Sequence, residues 1–242
     1  MSSVSSKTKT LLILAVFLGI ILCLEKVCGI PNVISFFLRE KKEVIFVKHF
    51  TFSAPDALKK WDEKVLHKKV DYTIESADDE SYVHAISSRS CSGMHYDIKA
   101  DINQRPVLSW KWRVKKFPDK KFPDDLLNKK EDDFAARIYV IFPAFFFTNS
   151  KALEYIWSKD LKVGTISSSP YSHNIKLIVA ASGLNEGNKW ILEERDIYED
   201  YLSAFKAKPK LNVGTIAFMC DSDSTSSGAE AYFDDIKIFY KK

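Results

Sequence analysis

Leu108-Ser109-Trp110-Lys111-Trp112-Arg113-Val114 is the stretch on which the fold turns. Its even positions are large and apolar, and its odd positions are Ser, Lys and Arg. Side chains of a β-strand alternate between faces with a period of two, so this pattern buries Leu108, Trp110, Trp112 and Val114 and turns Ser109, Lys111 and Arg113 outward. Residues 134–142 repeat the pattern. Phe134, Ala136, Ile138, Val140 and Phe142 make one face, and Ala135, Arg137, Tyr139 and Ile141 the other.

Outward from these two strands, β signals recur at short spacing: 44–52, 71–76, 81–87, 94–98, 174–181, 213–220 and 231–240. Residues 151–159 read as one or two helical turns. Residues 193–206 carry Ile197, Tyr198, Tyr201, Leu202 and Phe205 at helical spacing and stop before Pro209, a short amphipathic helix. The charged stretch 115–130 holds Pro118 and Pro123 and reads as a long connection within one domain. The expectation is an all-β protein: an antiparallel β-sandwich of jelly-roll or galactose-binding-like type with one or two short helices.

An N-terminal hydrophobic helix is expected ahead of it. Lys7 and Lys9 precede the uncharged run Leu11–Leu24, which is shorter than the roughly 20 residues that span a bilayer and fits the apolar region of an export signal. Val27-Cys28-Gly29 offers tolerable residues for cleavage after Gly29, although Glu25 and Lys26 intrude. Residues 1–29 are thus a signal peptide or an uncleaved signal anchor, 30–43 a juxtamembrane segment, and 44–242 the β-sandwich domain. The expected location is the periplasm or cell envelope, with a membrane anchor if the segment is retained.

Charge argues against nucleic acid. The chain carries 36 basic and 32 acidic residues, of which Lys7, Lys9, Lys26 and Glu25 lie in the first 29, leaving +2 on the rest. The lysine pairs alternate with acids and form no phosphate-tracking stripe. Of the four cysteines, only Cys91 and Cys220 fall in the domain, as a cross-sandwich disulfide or as two buried thiols.

If the two patterned strands are neighbours, Arg113, Arg137 and Tyr139 share an outer, concave face, where sandwiches of this type take ligands. The opposing reading is a wet sheet face with Arg137 paired to Asp132 or Asp133. For chemistry, Asp133 and Asp196 are candidate acid/base carboxylates with Arg137 and Arg195 holding charge, and His173 is a candidate base. Adjacent acids on a strand point to opposite faces, so Asp132-Asp133 is not a glycosidase pair by itself. Asp221-Ser222-Asp223-Ser224-Thr225 offers hard oxygen donors; Asp221 and Asp223 are the metal candidates, and calcium the cation such donors take. The alternative is a turn that spends those oxygens on its own backbone. No other cofactor is expected.

Several ordered strings resemble a family of exported bacterial proteins catalogued as domain of unknown function 3047. They are residues 109–114; Asp132-Asp133 with Arg137, Tyr139 and Val140; Tyr155 with Trp157; Arg195-Asp196, Tyr198, Asp200-Tyr201 and Phe205; Asp221, Asp223 and Thr225; and Tyr232 with Asp235-Ile236. The closing strand Tyr232–Ile238 also resembles that of galactose-binding-like carbohydrate modules. The family pattern often has Gly before its last Asp, where this chain has Asp234. The resemblance implies export and a compact β domain, supplies no substrate, and adds weight to Arg137, Arg195 and Asp196. The ligand-binding set is then Arg113, Arg137, Tyr139, Tyr155, Arg195 and Tyr198. The expected function is a non-catalytic envelope module that binds a glycan or another polar ligand. The rival readings are a carbohydrate-active envelope enzyme and an envelope assembly or structural factor.

Overall fold

The computed structural model describes residues 44–77, 80–184 and 189–242. The N-terminal signal or anchor and the juxtamembrane segment lie outside the described residues. Val44–Lys242 forms a compact unit of its own, with its core drawn from within it.

Two sheets face each other across that core. The six-stranded sheet runs β11 (Ile191–Asp196), β6 (Val107–Lys116), β13 (Gly228–Lys241), β4 (Glu80–Ser88), β3 (Asp71–Ala77), and β1 (Val44–Phe50) pairs with the far half of β13. The seven-stranded sheet runs β2 (Asp62–Val65), β5 (Cys91–Ala100), β12 (Val213–Asp221), β7 (Arg137–Phe142), β8 (Lys151–Ser158), β10 (Ile175–Ser182), β9 (Ile166–Ser168). One helix, α1 (Ile197–Phe205), joins β11 to β12. The sandwich expected from the patterning stands, with one parallel pair, β8 and β10, among antiparallel neighbours.

Trp110 and Trp112 are fully buried, as period two requires, and their rings meet edge to face at 5.3 Å. Trp110 packs on Tyr155 and Trp112 on Trp157 across the sandwich. Ile236, Ile238 and Tyr240 point inward in the closing strand. Neither aspartate before them does. Asp234 lies beside Lys111 on the outer face, and Asp235, at φ 49°, forms a bulge whose carboxylate takes His49 and Lys237.

Two local expectations fail for identifiable reasons. Residues 151–158 are a strand, not helical turns. Leu153, Tyr155 and Trp157 face the main core, while Ile156 faces a second small cluster with Leu126, Phe134, Leu177 and Val179. A strand covered on both faces loses its alternation. In 193–206 only the second half is helix. Residues up to Asp196 pair with β6, and Asp196 then caps α1 by accepting from Tyr198 N (3.0 Å) and Glu199 N (3.1 Å). Phe134 is likewise outside the main core, because β7 begins at Arg137 and the preceding residues cross the sheet.

Cys91 and Cys220 are buried free thiols. Cys220 lies opposite Ser92 in the β5–β12 register, so the neighbouring Cys91 points to the other face of the sheet. A disulfide between them would require the strands to turn over.

Candidate functional site

The two strands expected to be neighbours belong to different sheets. Arg113 therefore projects from the outer face of the six-stranded sheet, and Arg137 with Tyr139 from the outer face of the other. A single site containing all three does not form, and the expected set divides among separate places.

Arg137 is 3% exposed. Its Nε and Nη2 donate to Asp221 (2.9 and 2.6 Å), Nη2 also to the Asp132 carbonyl (2.5 Å), and Nη1 to Glu154. The Asp132 carboxylate lies 3.7 Å from Nη1. One guanidinium thus faces three buried carboxylates. Burial pushes Asp221 up to about 7 against the pull of Arg137, and Glu154 shifts upward for the same reason. Four of the five N–H donors of Arg137 are committed within the protein, and the group is buried away from any ligand. It is an internal ion-pair hub, which corrects its expected place in a ligand face.

The acidic loop beyond β12 is spent internally too. Asp133 accepts from Ser224 N, Thr225 N and Thr225 Oγ1, and Asp221 accepts from Phe134 N besides Arg137. Cys91, Asp221 and Asp223 do place one ligand atom each within 4.8 Å of one another. Burial, however, raises the Cys91 thiol and keeps it protonated, and a thiol is a poor partner for a hard cation. Asp223 is left as the carboxylate of this trio without such commitments.

Tyr155 points into the core and donates to Asp200 (2.8 Å), which Arg195 grips through Nε and Nη2 (2.9 and 2.6 Å). Glu193 beside them is pushed up to about 7 by burial, with Arg195 opposing. Asp196 caps α1 and pairs with Arg105, whose guanidinium lies over Tyr198. His173 is exposed in the turn before β10. Among the described residues, no contact brings Asp133, Asp196 and His173 together, so the acid/base arrangement expected of an enzyme is not assembled.

The outer face of the six-stranded sheet differs in kind. Register sets Tyr232 opposite Arg113 and Asp234 opposite Lys111, with His84 beside Tyr232. The Arg113 guanidinium lies 4.0 Å from the Tyr232 ring centre, 4.9 Å from Trp190 and 5.4 Å from Tyr82. Tyr82 meets Trp190 and Tyr232 at 5.5 Å, and His84 stacks on Tyr232 at 4.5 Å. His84 is fixed between Glu75 (2.6 Å) and Glu230 (2.7 Å), and Lys115 reaches Glu230 at 2.9 Å. Lys111 lies between Glu80 (3.5 Å) and Asp234 (3.9 Å).

Among the described residues Arg113 pairs with no carboxylate, and its buried Nε finds no acceptor. Asp234 keeps an oxygen without a partner, and burial pushes its carboxyl up to about 6. A planar donor held against three rings, with unspent hydrogen-bonding capacity, is a ready receptor for a polar ligand. Of its members, sequence reading placed Arg113 and Lys111 on an outer face and missed the aromatic ones. Tyr82, His84 and Tyr232 do occupy the outward positions of alternating strands, which was the available signal. Trp190 precedes β11, whose strand character the helix reading had obscured.

A family model described as "Protein of unknown function (DUF3047)" matches residues 59–237. Among proteins with curated descriptions, none matches the chain. Solved structures similar to it include a family 11 carbohydrate-binding module of a cellulosomal cellulase of Clostridium thermocellum (11% identity, 76% of this chain, 88% of that one, TM-score 0.40). Others are endoglucanase cel12A from Rhodothermus marinus (8%, 76% and 97%, TM-score 0.45) and the xyloglucanase domain of NopAA from Sinorhizobium fredii (12%, 75% and 93%, TM-score 0.41).

Proposed function

Because the chain belongs to the DUF3047 family, whose description assigns no activity, we propose from its own geometry that it is a non-catalytic binding module. In this reading its ligand is a glycan, held on the outer face of the six-stranded sheet. The observation that carries the reading is Arg113, set among Tyr82, Trp190 and Tyr232 with hydrogen-bonding capacity unspent. Sugar rings present C–H faces that pack on aromatic rings, and hydroxyls that pair with guanidinium and carboxylate groups. Trp190, half-buried at the edge of the cluster, supplies the packing surface, and Arg113, Lys111 and Asp234 supply the polar contacts. A location in the periplasm or cell envelope is part of the same proposal, resting on the basic and apolar N-terminus.

The test is a panel of soluble polysaccharides assayed by thermal shift and calorimetry. At least one glycan should raise the unfolding temperature of the wild type. Trp190→Ala and Arg113→Ala should each weaken that binding about tenfold or more, the loss of a good stacking or charged hydrogen-bond contact. Binding that survives both substitutions, or no binding across the panel, would refute the proposal.

A further inference from the structure

The connection between β7 and β8 carries Phe145, Phe146 and Phe147, which are 97%, 66% and 89% exposed. Three consecutive phenylalanines held in water are costly, and an exposed apolar cluster of this kind marks an interaction surface. The loop is not loose. Ala144 N donates to Ser150 Oγ (3.0 Å), Asn149 N to the Phe146 carbonyl (2.9 Å), and Asn174 Nδ2 to the Thr148 carbonyl (2.9 Å). Phe145 and Phe146 pack edge to face at 5.1 Å. The sequence has thus fixed its backbone while leaving its rings outside.

Lysines surround this tip. Lys151, paired with Phe142 at the base of the loop, lies over Tyr201 and Phe205 of α1, and Lys176 also lies over Phe205. From Phe205 the chain runs through exposed Lys206, Lys208 and Lys210 to Gly214, which packs directly beneath Pro143 at the other side of the loop base. The three-lysine segment is therefore tied to the phenylalanine loop at both of its ends. Lys206, Lys208 and Lys210 form no ion pair among the described residues. The opposite end of the sandwich also exposes Phe122 and Leu127, but there Asp119, Asp125 and Glu131 interrupt the lysines.

The first strand begins at this same end. Val44 pairs with Lys241, the Tyr240 hydroxyl accepts from Asp101 N (2.8 Å) in that end's turn, and Ala100 pairs with Val213. Val44, Ile45 and Phe46 are exposed there, and the apolar run Leu11–Leu24 lies upstream of them in the chain. Aromatic side chains prefer the bilayer interface, and lysines beside them are drawn to anionic headgroups.

We propose that this end of the domain docks on a bilayer containing anionic lipid, inserting Phe145, Phe146 and Phe147 while Lys206, Lys208 and Lys210 contact the headgroups. The glycan face, on the broad side of the six-stranded sheet, then stands away from the lipid.

The test uses residues 44–242, which form a compact unit of their own, so that the upstream apolar run cannot supply the binding. The protein is floated with vesicles of phosphatidylcholine containing phosphatidylglycerol, and with phosphatidylcholine alone, after circular dichroism has verified the fold. The expected result is flotation with the anionic vesicles that falls at high salt. Phe145→Ser with Phe147→Ser should reduce the partition coefficient about tenfold or more. Lys206→Gln with Lys208→Gln and Lys210→Gln should do the same on anionic vesicles and leave neutral ones unaffected. Absence of vesicle binding by the wild type, or binding indifferent to both sets of substitutions, overturns the proposal. So does self-association of the wild type, without flotation, that the phenylalanine substitutions abolish, because the surface is then a protein interface.

Discussion

Arg137 and Arg113 carry the same charge and stand in strands of similar pattern, yet they do opposite things. Arg137 is saturated by Asp221, Glu154 and Asp132, and removing it leaves three buried carboxylates without a countercharge. Arg137→Met should cost about 3–5 kcal/mol, as for other broken buried pairs. The fall would appear in the urea midpoint, and an unchanged midpoint would show that the hub is dispensable. Burial also holds Asp221 and Glu193 at about 7 and Asp234 at about 6, above the values near 4 of unfolded carboxyls. A raised folded value means the folded chain binds more protons in between, so the stability is complete at acid pH and is lost as pH rises through about 7. The melting temperature should fall from about pH 5 to about pH 8, and Glu193→Gln should remove part of that fall. A melting temperature that climbs over this window contradicts the assignment. Of this the sequence offered only the pairing of Arg137 with Asp132, because Asp221 and Glu154 reach the arginine through the placing of β7 between β12 and β8, which the sequence did not show.

At the scale of the element, alternation was legible wherever one face of a strand meets the core and the other meets water. Residues 108–114 and 231–240 are such strands. It failed in β8, where the loop carrying Leu126 and Phe134 covers the outer face and Ile156 is as buried as Tyr155. It failed again at β11, where Tyr198, Tyr201 and Phe205 extended the apparent helix backward over a strand. Asp196 marks the true boundary, and Asp196→Ala should destabilise the domain by about 1 kcal/mol through loss of the cap. Chemical unfolding would register it, and no loss would mean that Arg105 and β11 hold the turn unaided. In β8, Leu153→Ala should cost about 2–5 kcal/mol, a core-strand penalty that a surface helix would not show.

For the whole molecule, nine of the thirteen described strands and the inward faces of the alternating ones were legible, whereas β2, β8, β9 and β11 and the distribution of strands between sheets were not. β6 and β7 follow each other in the chain, but the connection crosses the sandwich and sets them in opposite sheets. That one topological fact separates Arg113 from Arg137 and moves the candidate site to a face whose aromatic members come from β4, β13 and the entry to β11. The chain has five tryptophans, of which Trp110, Trp112, Trp157 and Trp61 are buried and Trp190 alone borders that face. Their indole N–H resonances can be followed together while a binding polysaccharide is titrated in. The account expects the Trp190 signal to move and the four buried ones to stay. A ligand that binds without moving Trp190, or that shifts signals only around Tyr139 on the opposite sheet, would contradict it.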